Sequence, residues 1–328
     1  MTADKTPKPR APSKRKPVVP LPDVEERGQQ NLKMLDSLPE LARTTGSLFD
    51  RHEARAFSCY AGIAKPQPGD DPRGQKILQV VPEGQLWPDD NDPVIPPQGE
   101  AAHDMLRAYI LGEYYPCVGA RAAFAKATYR FGFYKQMGHI SAVAAMGRDL
   151  RRFVNEYEQL GDYTTFIAVF KTPQLTTEDQ FEQALWQHLQ LLHDHDNGEW
   201  DPHYSCNPKT SNFGFSFSGK AFFVVGMNPG ASRFSRRFTF PTLVFNPESQ
   251  IRKLKEQGGL EQFASTVRMR DTLFQGTINP ALPTDSATTG GEARVYSGKA
   301  HHDGDGWQCP FRPRPSLLAK EGQPKQPK

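Results

Sequence analysis

The sequence predicts an α+β fold, with a mixed or antiparallel sheet packed against helices in a single main domain. Helix-period and strand-period segments both occur, and they do not follow the alternating rhythm of a doubly wound sheet. A strand–turn–strand signal lies in the middle of the chain. At 328 residues the chain is long enough to bury a sizeable core, and it shows no internal repeat.

Residues 1–24 contain TPKPRAPSKRKPVVPLPD. This stretch has almost nothing to bury and is expected to be a disordered, basic, proline-rich tail. Residues 25–100 read as an irregular N-terminal extension. Leu32, Leu35 and Leu38 suggest a short helix over Gln29–Ser37, ended by Pro39, because the residue before a proline is pushed out of the helical region. Pro66 to Pro97 is rich in Pro, Gly and Asp and reads as loop, with one strand expected at Ile77–Val81.

The main domain is expected over 101–312. Met105, Leu106, Tyr109 and Ile110 place a helix over Ala102–Gly112, which Pro116 separates from an alanine-rich helix over Val118–Thr128. A strand at Tyr129–Tyr134 follows. Val143, Met146, Leu150 and Val154 recur every three or four residues in a long helix, Ser141–Leu160. TTFIAVF (Thr164–Phe170) reads as a buried strand. Thr177 is the expected N-cap of a helix whose stripe is Phe181, Leu185, Leu189 and Leu192, running to His193. Phe213–Phe217 and Ala221–Val225, with Gly219 between them, form a hairpin. Helices at Pro247–Gly258 and Leu260–Phe274 complete the domain, and 313–328 reads as a second disordered tail.

Charge separates the body from its ends. Residues 1–20 carry six basic side chains against Asp4, and residues 311–328 carry five against Glu321, while the whole chain is only +3. The pI of about 8.6 therefore belongs to the tails, and the folded body is mildly acidic. A nucleic-acid partner, which needs a positive face, is not expected. Cys59, Cys117, Cys206 and Cys309 are widely spaced with no CxxC pair, which disfavours a zinc ribbon or a redox dithiol. The N-terminus lacks the apolar core of a secretion signal, and no run of about 18 apolar residues occurs. A soluble, cytoplasmic protein without a membrane partner is expected.

FVVGMNPGASRFSRRF (Phe223–Phe238) carries the most distinctive chemistry. A buried strand ends in a Pro229-Gly230 turn, and Ser232, Arg233, Arg236 and Arg237 follow together. Turn N–H groups beside several arginines suit an anion; arginines making structural ion pairs are the other reading. No hydrolase elbow, Walker A loop or Rossmann fingerprint is present. His188, His193 and His195 sit with Asp194 and Asp196 near a helix end, but a spacing of five between the first two does not suit a shared metal face. His301, His302 and Asp303 fall in a Gly/Asp loop and read as solvated. Cys117 lies at a helix start, where a thiolate is favoured for nucleophilic or iron-ligating work, or else it is a small buried hydrophobe. Asp271, ending RMRD, is either an internal ion-pair partner or a carboxylate for a cationic substrate.

Six segments resemble the YqcI/YcgG family, in the family's order and over about two-thirds of the chain. They are PCVGARAAF (Pro116–Phe124), FEQALWQHLQLLHDHD (Phe181–Asp196), FGFSFSGKAFFVVGMNPGASRFSRRF (Phe213–Phe238), LVFNPESQI (Leu243–Ile251), VRMRDTLFQGTINP (Val267–Pro280) and YSG…WQCPF ending at Phe311. Members of known activity are haem-dependent oxygenases that hydroxylate a guanidine nitrogen. The resemblance thus implies haem b, a small guanidine or amine substrate, and O2 with an electron donor or peroxide. It implies Cys117 as proximal haem ligand, with His193 as the alternative metal ligand. Arg121 would hold a propionate or keep the thiolate ionised, and Arg233, Arg236 and Arg237 would meet the propionates. Asp271 or Glu182 would take a guanidinium substrate. Glu248 stands where the family often has a histidine. A haem-binding protein without oxygenase activity, or an anion-binding protein, is the alternative on the same fold.

Overall fold

A computed structural model of the chain describes residues 58–63, 86–88, 96–174, 177–280, 292–301 and 305–321. The expected N-terminal tail, the helix at Gln29–Ser37 and the strand at Ile77–Val81 lie outside the described residues. The fold is α+β. In chain order the elements are β1 (Ser58–Ile63), β2 (Leu86–Pro88), α1 (Pro97–Leu111), α2 (Val118–Lys126), β3 (Tyr129–Gln136), α3 (Ile140–Leu160) and β4 (Thr165–Thr172). They continue with α4 (Glu178–His195), β5 (Phe215–Phe217), β6 (Lys220–Met227), β7 (Thr242–Pro247), α5 (Glu248–Glu256), α6 (Leu260–Gln275) and α7 (Pro315–Glu321).

Among the described residues the strands form one seven-stranded sheet in the order β2-β1-β3-β4-β7-β6-β5. β3 and β4 pair in parallel, with Phe131 opposite Ile167 and Phe133 opposite Val169, and α3 makes the crossover between them. The other pairings are antiparallel. The sheet is therefore mixed.

Both faces of the central strands are covered, which explains why TTFIAVF reads as a continuous apolar run rather than an alternating one. Successive side chains of a strand point to opposite faces. Ile167 and Val169 of β4 pack with Phe131 of β3 against Leu106 and Ile110 of α1 and Phe124 of α2. Phe166, Ala168 and Phe170 of the same strand face Val143, Leu150 and Phe153 of α3 and Phe181 and Leu185 of α4.

Local chemistry sets the helix ends. Pro97 occupies the first turn of α1, where its missing N–H costs nothing. The Cys117 sulfur caps α2 by accepting from the Ala120 N–H. Thr177 caps α4 through the Gln180 N–H, as its sequence position predicts. α4 nevertheless continues two residues past His193, to His195, whose Nδ1 lies 2.8 Å from the Leu191 carbonyl. Gly226 in β6 lets α4 come close: a Cβ there would lie 2.5 Å from Phe181 Cε1.

The structure adds elements that sequence patterning does not reveal. β7 begins just after Pro241 and ends on Pro247, where the sequence pattern assigns no strand, and its Leu243 and Phe245 are fully buried. β1 and β2 fall in the extension expected to be irregular. Residues 315–321, expected to belong to a tail, form α7. Just ahead of it, the Arg314 backbone N–H donates to His193 Nε2 at 3.1 Å and the Arg314 guanidinium to the Asp196 carbonyl at 2.7 Å.

Candidate functional site

The end of β6 is where the distinctive segments meet. After Met227 the chain folds into a compact loop organised by Asn228. Its N–H donates to the Arg236 carbonyl (2.9 Å), its carbonyl accepts from Ala231 (3.3 Å) and Phe238 (3.2 Å), and its Oδ1 accepts from Gly230 (2.9 Å). This Asx-type turn is what the Asn-Pro-Gly sequence favours.

The arginines of the loop are engaged with protein oxygens. Arg233 donates Nη1 to Thr277 Oγ1 (3.0 Å) and Nη2 to the Thr277 carbonyl (3.1 Å), and it forms an ion pair with Asp271. Arg236 reaches the carbonyls of Gly226 (3.0 Å), Tyr296 (3.4 Å) and Val295 (3.4 Å). Arg237 donates Nε to the Ala231 carbonyl (2.8 Å) and Nη2 to that of Ser232 (3.3 Å), and lies 4.9 Å over the Phe234 ring. Two donors in the loop have no acceptor, Asn228 Nδ2 and Arg233 Nε, in residues 0% and 6% exposed. A buried N–H without a partner is costly, of order 1–3 kcal/mol, and fits a place where an acceptor is supplied from outside.

Cys117 approaches this loop from the turn between α1 and α2. Its Sγ accepts the Ala120 N–H at 3.4 Å, and the residue is half-buried. Burial pushes the thiol up, opposed by the N–H groups of Ala120 and Gly119 and by the Arg236 charge. Tyr115, two residues earlier, donates to the Ser235 carbonyl at 3.2 Å, and Tyr109 donates to that of Phe234. Both rings lie 6.5 Å from that of Phe274 on α6. Arg270 of α6 donates to the Glu113 and Tyr115 carbonyls at 2.7 and 3.0 Å. The turn carrying Cys117 is thus held from both sides. Arg121, one turn along α2, points back to the carbonyls of Leu111 (3.1 Å) and Gly112.

The two candidate substrate carboxylates are buried and partnered from within. Asp271 accepts from Arg233 and from Ser235 Oγ at 2.9 Å. Glu182, in the second turn of α4, accepts from Ser297 Oγ (2.7 Å) and Trp307 Nε1 (3.2 Å), and its Oε1 lies 2.6 Å from His301 Nε2. The His301 side chain is 2% exposed, with Nδ1 3.5 Å from Asp305, which corrects its expected solvation. In the first turn of α4, Glu178 accepts from the N–H and Oγ of Ser232 (2.9 and 2.8 Å), and Asp179 pairs with Lys299 at 2.6 Å. The start of α4 therefore fastens two loops at once.

His193 lies elsewhere. It is buried with its ring 5.0 Å from that of Phe311 and 5.6 Å from that of Trp200, in the core on the α3/α4 face, whereas Cys117 packs against the core on the α1/α2 face. Burial lowers its pKa to about 4, keeping it neutral, and Nε2 receives the Arg314 N–H. Among the described residues no three His, Cys, Asp or Glu side chains group to hold a metal ion. An axial haem ligand is a single side chain, and a sulfur at a helix start with backbone N–H donors and a nearby guanidinium has the donor chemistry for it. Sequence reasoning singled out Cys117, Asp271 and the arginine loop and read His301 as solvated. It did not single out Asn228, Ser297 or Trp307, although Asn-Pro-Gly and YSG…WQCPF carried the signal.

The sequence profile of the YqcI/YcgG family matches residues 106–312, the span that supplies each of these side chains. The uncharacterized protein YqcI of Bacillus subtilis (strain 168) is 24% identical over 214 residues, which is 63% of this chain and 84% of that protein. No solved structure gives a significant match. No helix among the described residues is long and apolar enough to cross a membrane.

Proposed function

The chain belongs to the YqcI/YcgG family, and from that we propose that it is a haem-dependent N-oxygenase acting on a guanidine or amine nitrogen of a small molecule. The activity comes from the family resemblance. What supports placing it at the end of β6 is one observation: Asn228 Nδ2 and Arg233 Nε are buried N–H donors without acceptors, in the loop that packs against the Cys117 turn. Cys117 Sγ would be the axial ligand. Asn228 Nδ2, Arg233 Nε and Arg236 would take the propionate oxygens. The haem, when bound, supplies the activation of O2 or peroxide that N-hydroxylation requires.

The chain's own part is positioning. The N–H groups of Gly119 and Ala120 favour the charged sulfur, against the burial that raises the thiol. Tyr109, Tyr115 and Phe274 pack their rings together beside the turn that carries Cys117. Asp271 and Glu182, with their donors in place, hold the loop and the start of α4, and a guanidinium reaching either must displace those donors.

A second reading draws on the same donors: a haem-free protein that binds a phosphate or carboxylate ligand in the loop. One experiment separates the two. Full-length protein expressed with a haem precursor should show a Soret band that is lost or shifted in Cys117→Ala, and a spectral change on adding arginine. A colourless protein that stays so after haem reconstitution, yet is thermally stabilised by phosphate compounds, supports the second reading and overturns the first.

A further inference from the structure

Asp271 and Glu182 are both buried carboxylates, but they are held in different ways. Asp271 answers a fixed charge, the Arg233 guanidinium, which is itself tied to Thr277. A ligand that took Asp271 would leave that guanidinium buried without a counter-ion. Glu182 on α4 is held instead by one short stretch of chain. Its Oε1 accepts from Ser297 Oγ at 2.7 Å and meets His301 Nε2 at 2.6 Å. Its Oε2 accepts from Trp307 Nε1 at 3.2 Å and lies 4.0 Å from Lys299 Nζ.

This stretch carries partners of its own. His301 Nδ1 faces Asp305 at 3.5 Å, and the Trp307 ring centre lies 4.4 Å from that of the imidazole. Moved away from Glu182, the imidazole keeps both. Lys299 pairs with Asp179 of α4 at 2.6 Å, but that carboxylate is 77% exposed, and a surface pair holds weakly. The stretch is anchored on either side. Tyr296 donates its hydroxyl to the Phe222 carbonyl at 3.0 Å, and its own carbonyl accepts from Gly226 at 2.7 Å. Phe311 is 1% exposed in the core. Between these anchors stand two glycines in the left-handed region, Gly298 at φ +82° and Gly306 at φ +73°, where the backbone can rotate at little steric cost.

Hydroxyl, imidazole and indole donors around one carboxylate stand where a cationic group with several N–H donors would otherwise bind. We propose that residues 297–301 and 305–307 form an autoinhibitory strap. They occupy Glu182 in place of a guanidinium or ammonium ligand, which binds by displacing them as a unit. The inference rests on the reading of a guanidine or amine ligand, and it leaves Asp271 to hold the arginine loop. The affinity measured for such a ligand is its intrinsic affinity reduced by the fraction of molecules with the strap open. Weakening the strap therefore tightens binding.

The test uses L-arginine as the probe. It is titrated calorimetrically into full-length protein, and hydrogen exchange over 297–301 and 305–307 is followed alongside. Arginine is expected to speed exchange over both stretches in the native protein. Trp307→Phe removes one donor to Glu182 and keeps a ring against His301. It should bind arginine about tenfold more tightly, the worth of one hydrogen bond to a charged group. Should it not fold, Ser297→Ala carries the same expectation, and the exchange response of the native chain needs no variant. Arginine binding that is equal or weaker in the variant overturns the proposal. So does slower exchange on adding arginine, the response of a lid that closes over its ligand, and so does a failure of native protein and variant alike to bind arginine. The haem reading is judged separately by the Soret band. A colourless protein whose strap is released by arginine sinks that reading and leaves this one standing; a haem-loaded protein whose spectrum responds to arginine with the strap unmoved does the reverse.

Discussion

Arg233 of the β6–β7 loop and Asp271 of α6 form a buried ion pair, their side chains 8% and 4% exposed. The pair joins two segments that lie 38 residues apart. Ser235 Oγ completes the carboxylate's partners and Thr277 those of the arginine, so loop and helix behave as one unit. Two of the sequence's candidate site residues are thereby partners of each other.

Removing the carboxylate leaves a buried guanidinium uncompensated. Asp271→Asn is expected to destabilise the protein by about 3–5 kcal/mol, measured as a lower urea midpoint at unchanged slope. A loss under 1 kcal/mol would mean that the pair is open to solvent.

Asn228→Asp keeps the oxygen that accepts the Gly230 N–H but replaces the unpartnered Nδ2 donor with an acceptor. If that donor serves a ligand, haem or phosphate affinity should fall about tenfold or more, the equivalent of one charge-assisted hydrogen bond. Titration followed by absorbance or thermal shift checks it, and equal affinity in the variant contradicts the loop's assignment as the ligand site.

His188 is fully buried, and its Nδ1 accepts the Gly138 N–H at 3.0 Å, so the ring must stay neutral. Burial lowers its pKa from 6.5 to about 3. Below pH 6.5 the unfolded chain takes up a proton that the folded ring refuses, so stability is lost as pH falls towards 3. Between pH 6 and 4.5 this histidine accounts for about 2 kcal/mol of that loss. His188→Gln should flatten the pH dependence of the urea midpoint by that amount, and identical slopes for both proteins would contradict it.

Gly226→Ala puts a methyl carbon 2.5 Å from Phe181 Cε1 and 2.9 Å from Leu185 Cδ1. Overpacking should cost about 1–3 kcal/mol. Because the closest contacts are with the Phe181 ring, adding Phe181→Leu should recover part of the loss in a double-mutant cycle. Strict additivity would place the strain elsewhere.

The legible parts of the fold were those where one physical signal dominates. α3 and α4 carry long apolar stripes, and Thr177 offers an oxygen to a helix start. β7 was hidden because its six residues follow Pro241 and end on Pro247, and proline interrupts a strand pattern, while its reason for being a strand is pairing with Phe166 to Val169 of β4, far away in sequence. The candidate site shows the same division. Cys117 was visible from its helix-start position, but where the nearby arginines point was not: Arg121 turns back to the Leu111 and Gly112 carbonyls, and Arg236 reaches carbonyls at 295 and 296, far away in sequence. His301 reads as a solvated loop residue until Glu182, 119 positions earlier, is placed beside it.

The place of β7 in the sheet bears on how the chain is made. β4 is complete by Thr172, but the strand that covers its free edge begins at Thr242. During synthesis the nascent polypeptide passes through a stage, about 70 residues long, in which Thr165–Thr172 offers unpaired backbone groups on a strongly apolar ribbon. Such an edge is a template for another copy. Messages truncated before codon 242 are therefore expected to yield insoluble product, and those ending shortly after codon 247 to be markedly more soluble, so that the hazard lies in translation and not in the finished molecule.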